Sequence, residues 1–128
     1  MNTKLTALTL SALFLSGGLF AAEPLSPDAI KRLLTNNTMS CKNLQKDEMF
    51  TNYYRDDGSV TKLTSTGEKI QGTWHVTDDG QHCHDWENNE EDECCHPIYD
   101  QGNGIYQRIE DDKPKAEFTV TEGNPKNL

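Results

Sequence analysis

The chain has 128 residues, 34 % of them hydrophobic, and a net charge of −9 from 21 acidic and 12 basic residues. That length supports one domain with a small core, and the acidity excludes a phosphate-binding surface, so nucleic acid is not an expected partner. Four cysteines can support such a core if they are oxidised.

In chain order, Met1 to Ala22 has the layout of an export signal. Lys4 is the positive n-region, Leu5 to Phe20 the apolar run, and Ala21-Ala22 the small residues before Glu23-Pro24. The run is short for a spanning helix and is broken by Gly17-Gly18. No cysteine follows it to carry a lipid. Residues 1–22 are therefore expected to be a signal peptide and residues 23–128 a single β-rich domain, periplasmic or secreted, with no membrane attachment after cleavage.

Ser26-Pro27-Asp28 is a helix start, with a capping Ser, a Pro suited to the first turn and an Asp favourable to the helix dipole. Ile30, Leu33 and Leu34 form one apolar stripe, and Asn36-Asn37 should stop the helix. From Met49 the period changes to two. Strands are expected over Phe50 to Tyr54, Val60 to Leu63, Lys69 to Val76, Gln81 to Trp86, Cys95 to Tyr99, Ile105 to Ile109 and Ala116 to Thr121. Turns fall at Asp56-Asp57-Gly58, Ser65-Thr66-Gly67, Asp78-Asp79-Gly80 and Gln101 to Gly104. The fold class is mainly β: a small antiparallel meander barrel or sandwich of about seven strands with one N-terminal helix, stabilised by disulfides.

Tyr53-Tyr54-Arg55-Asp56-Asp57-Gly58, Gly72-Thr73-Trp74, Cys83-His84-Asp85-Trp86, Cys94-Cys95 and the Gly123-Asn124 tail carry a resemblance to a group of small secreted proteobacterial proteins of unknown function. The resemblance implies an exported small β-domain and brings no catalytic residues. The Gly-x-Trp strand is also similar to one in lipocalin and avidin barrels. There it opens the barrel, whereas here it follows two expected strands.

The stretch Gly72 to Tyr99 holds all four histidines, both tryptophans and three of the four cysteines. Export and an even count favour two disulfides. A bridge between the adjacent Cys94 and Cys95 is strained, so one of them should pair with Cys83 and the other with Cys41, each bridge contributing about 2–4 kcal/mol. A two-residue turn at Asp78-Asp79 or at Asp79-Gly80 places His75 on one sheet face with His82 and His84. His96 joins them if Cys83 bonds Cys95, and lies on the cysteine face if Cys83 bonds Cys94. Four imidazoles beside Glu87 and Asp92 would suit copper or zinc. The spacing matches no metal signature, however, so solvated histidines on an outer face are the first expectation and a metal site the alternative.

The acidic run Asp85 to Glu93 lacks the pattern of a calcium loop and reads as a solvated hairpin loop, or as a surface that an acidic inhibitor would present to a basic protein. No nucleophile, phosphate-loop or zinc-protease motif occurs, and an enzyme is not expected. The function expected first is an exported binding module for a small ligand or another exported protein, without a cofactor. Trp74, Trp86, Tyr53, Tyr54 and Tyr99 would supply apolar contact if a pocket exists, and core packing otherwise.

Overall fold

The computed structural model describes residues 23–88 and 93–128. Residues 1–22, expected to be a signal peptide, and Glu90, Glu91 and Asp92 of the acidic run lie outside the described residues. Helix α1 is Pro27–Leu34. Nine strands follow: β1 Asn37–Asn43, β2 Glu48–Tyr54, β3 Ser59–Thr64, β4 Lys69–Val76, β5 His82–Trp86, β6 Cys94–His96, β7 Ile98–Gly102, β8 Ile105–Glu110 and β9 Lys113–Glu122. They form one antiparallel sheet in the order β6-β5-β4-β3-β2-β1-β9-β8-β7, curled into a nearly closed barrel. Among the described residues no helix is long and apolar enough to cross a membrane.

The two strands at the edges of the sheet, β6 and β7, are consecutive in the chain and separated only by Pro97. One stretch thus pairs with β5 through its first half and with β8 through its second. Proline has no amide hydrogen to continue a ladder, which accounts for the break in the single strand expected from Cys95 to Tyr99.

β1 is the strand the sequence does not announce. Its residues, NTMSCKN, are mostly polar, yet it lies in the middle of the sheet between β2 and β9. Met39 and Cys41 point inward and are buried, while Ser40 is exposed. Thr38, on the other face, is buried and its hydroxyl donates to the Gly123 carbonyl at 2.6 Å.

The helix begins as its residues dictate. The Ser26 hydroxyl accepts from the Ala29 amide at 3.2 Å, and the chain leaves the helix through Asn36 at φ 61°, a conformation Asn tolerates. Ile30 and Leu34 are fully buried in the core with Tyr54, Val60, Trp74, Ile98 and Phe118.

Three successive hairpins use one turn. The amides of Arg55, Thr64 and Thr77 donate to the carbonyls of Ser59, Glu68 and Gln81, with Gly58, Gly67 and Gly80 in the left-handed region at φ 85–90°. This turn holds one residue more than a two-residue hairpin, so paired residues are separated by an even number: Tyr54 faces Val60, Leu63 faces Lys69, and Val76 faces His82. From β2 to β9 the even-numbered positions accordingly carry the buried core residues, among them Tyr54, Val60, Trp74, His84, His96, Ile98, Ala116 and Phe118.

Candidate functional site

Alternation on β5 and β6 builds the site. Cys83 pairs with Cys95 in register and is bonded to it. His82 therefore faces His96, with His84 beside them on the same inward face. The expectation of solvated histidines is overturned: His82, His84 and His96 are 0 %, 8 % and 7 % exposed. Their ring centroids are 4.2 Å apart for His82–His84, 5.5 Å for His82–His96 and 6.1 Å for His84–His96. Each offers a ring nitrogen within 4.8 Å of those of the other two.

His75 does not belong to this group. It faces Cys83, not His82 or His84, and lies half-exposed on the outer face, where its Nδ1 is 3.4 Å from the Glu93 carboxylate. The cause is the extra residue in the Thr77–Gln81 turn. A shift of one residue moves every side chain of a strand to the opposite face. The grouping of His75 with Glu93 and Cys83 offers no thiolate, because Cys83 is in the disulfide.

The second expected bridge is not formed. Cys41, buried on β1, and Cys94, exposed on β6, are both free. Cys41 is held among apolar neighbours, and burial raises its thiol pKa to about 11 against the opposing pull of Arg108 and Lys62.

Burial sets the charge state of the three inward imidazoles. It holds His82 well below the usual value, with the neighbouring His84 and His75 adding to the effect. It brings His84 to about 3, helped by His96, Lys62 and Arg108, and His96 to about 2, helped by His82 and Arg108. All three are neutral near pH 7, the form that ligates metals. Among the described residues His84 has a hydrogen-bond partner, the Tyr54 hydroxyl at 2.8 Å from Nε2. That hydroxyl also accepts from the Asn52 amide at 3.0 Å. The indole of Trp86 stacks on His84 at 5.2 Å between centroids. Both nitrogens of His82 and Nδ1 of His96 are buried without a partner among the described residues.

Of the aromatic residues proposed for ligand contact, Tyr54 and Trp74 are core residues, with the Trp74 indole donating to the Arg55 carbonyl at 2.9 Å. Tyr53 lies under the Arg55 guanidinium and Tyr99 pairs with Gln107, both half-buried and apart from the cavity. Trp86 alone of the five lines a cavity of about 150 Å³ that adjoins the histidines and shares His84 and His96 with them. Lys62, Arg108 and Asn52 also line it and were not singled out from sequence. Their even positions on inward-facing strands were the available signal.

The three imidazoles, neutral and gathered at one place, can ligate a transition metal, and the residues fit such an ion because His82 and His96 each carry a buried ring nitrogen without a partner among the described residues. No protein-family model, curated protein or solved structure matches the chain.

Proposed function

We propose that this protein is an exported binding module that holds a transition metal, copper or zinc, through His82, His84 and His96. The observation that carries the reading is the orphaned buried nitrogen on two of the three rings. An unsatisfied buried polar atom costs about 1–3 kcal/mol, and one such nitrogen on each of His82 and His96 would be satisfied by a single ion held between the rings. A metal ion gives each ring a strong partner. Neutral imidazole suits both Zn(II) and copper, and the Tyr54 hydroxyl on His84 supplies the outer hydrogen bond that orients a ligating ring. Export is supported by the Cys83–Cys95 disulfide, a bond that persists in oxidising compartments, and by the leader-like sequence of residues 1–22. We read the role as capture or carriage, since among the described residues no carboxylate lines the cavity beside the histidines to form an acid–base pair with them.

The test is calorimetric titration of the metal-free, oxidised protein with Zn(II) and Cu(II). One equivalent should bind, the combined substitution of His82, His84 and His96 by Ala should abolish binding, and His75→Ala should leave it unchanged. No heat with either ion, or equal binding by the triple variant, overturns the proposal.

A further inference from the structure

The cavity beside the histidines has a charge character opposite to that of the chain. The protein carries 21 acidic and 12 basic residues, yet the cavity wall holds two basic side chains, Lys62 and Arg108, and no Asp or Glu. Among the described residues the two cations have one carboxylate partner between them, Glu110, in a long ion pair with Arg108. Lys62 makes no ion pair. Its ammonium lies over the rings of Phe50 at 4.5 Å and Trp86 at 5.2 Å, and burial lowers its pKa. Arg108 has a buried Nε without a hydrogen bond, its nearest carboxylate being Glu110 at 3.9 Å. Two like charges facing one small space are unfavourable unless an anion sits between them. The remaining wall is apolar and aromatic, with Phe50, Trp86 and Phe118. A volume of this size accepts a single six-membered ring.

From this we infer that the cavity is a binding site for a small planar carboxylate, whose anionic head meets Lys62 and Arg108 and whose ring or flat apolar body lies against Phe50, Trp86 and Phe118. Arg offers a planar fork matched to a carboxylate and Lys a mobile point charge, so the two can hold one head group from different sides. The Asn52 amide, on the same wall, is a further polar contact. The aromatic body accounts for a preference over inorganic anions, which would leave the apolar wall uncovered.

The inference stands on the cavity's lining and not on the metal reading, and it is tested on metal-free protein so that either can fail without the other. Benzoate is titrated by calorimetry and by tryptophan fluorescence. Benzamide serves as the neutral isostere and phosphate as the anion without an apolar body. Benzoate should bind at least tenfold more tightly than either. Arg108→Gln and Lys62→Gln should each weaken it tenfold or more, and Lys62→Arg should retain it. Thermal melts establish that each variant is folded, and Lys62→Gln decides if Arg108→Gln is not. Absence of benzoate binding, benzamide binding as tightly as benzoate, phosphate binding as tightly as benzoate, or Lys62→Gln without effect would each overturn the inference.

Discussion

Cys83 faces Cys95 across β5 and β6, and the bond between them fixes the register that turns His82, His84 and His96 inward. β6 is three residues long and lies at an edge of the sheet, so it has few ladder bonds of its own. Closing a loop with a sequence separation of 12 is worth about 3 kcal/mol on chain-entropy grounds. Reduction should lower the unfolding free energy by that order, and the double substitution of Cys83 and Cys95 by Ser, which offers no thiolate to zinc, should release His96 from the cluster and weaken zinc binding tenfold or more. A reduced protein with an unchanged midpoint would show that β6 is held by other contacts.

The thiol count follows from the same pairing. Denatured, unreduced protein should label at two cysteines, Cys41 and Cys94. In the native state only Cys94 should react at neutral pH, because Cys41 is buried and its thiol pKa is raised to about 11. Mass spectrometry distinguishes this from the absence of labelling that a second disulfide would give.

Tyr54 and His84 define the next prediction. The Tyr54 hydroxyl lies 2.8 Å from His84 Nε2 and 3.0 Å from the Asn52 amide nitrogen, and all three side chains are buried. Tyr54→Phe keeps the ring and deletes the shared partner. A loss of about 1–3 kcal/mol is expected from the groups left unsatisfied. Metal affinity should fall by about 10–100-fold if the hydroxyl orients a ligating imidazole. A variant as stable as the parent with unchanged zinc affinity would remove Tyr54 from the site.

The pH dependence has a definite sign. Burial depresses the folded pKa values of His82, His84 and His96 below the usual 6.5 of an unfolded chain. The unfolded chain therefore binds protons first as pH falls, and stability present above pH 6.5 is lost on acidification toward the folded values, about 3 for His84 and about 2 for His96. Between pH 6.5 and 5, above most carboxylate titration, each histidine adds a slope of at most about 1.4 kcal/mol per pH unit. Urea unfolding of the metal-free protein over that window should show it. The slope should shrink in His96→Gln, and a flat profile would contradict burial of the three rings.

The barrel and its helix were legible because their signals are local. Ser26-Pro27 starts the helix, Asp-Asp-Gly closes two hairpins, and apolar alternation marks the strands from Phe50 onward. The register was not. A two-residue turn and the observed turn at Gly80 are written with the same Asp-Asp-Gly, yet differ by one residue and place His75 on opposite faces. β1 escaped because its central place comes from pairing with β2 and β9, partners distant in sequence, and not from its own polar residues. Lys62 and Arg108 read as ordinary surface charges; only the parity of their strands shows that they face the interior. The free state of Cys41 and Cys94 likewise depends on placement across the barrel, which a cysteine count does not contain.

Gly72 provides the last prediction. It sits opposite Trp86 on the inward face, and a Cβ there would lie 2.6 Å from the Asp85 carbonyl oxygen and 2.8 Å from Cε3 of Trp86. The first of these atoms is backbone on the paired strand, so no side-chain rotation relieves the contact. The second belongs to the indole that stacks on His84 and lies under Lys62. Gly72→Ala should therefore cost about 1–3 kcal/mol, the range for overpacking a tight interior. It should also displace Trp86, changing the tryptophan emission and weakening benzoate binding in the adjoining cavity. Gly67→Ala is the comparison: no atom stands within 4 Å of its Cβ, and its cost comes only from φ at +90°. That variant should lose stability without altering the emission. An equal spectral change in both would show that the Trp86 environment reports general loosening of the barrel and not the packing of Gly72 against the indole.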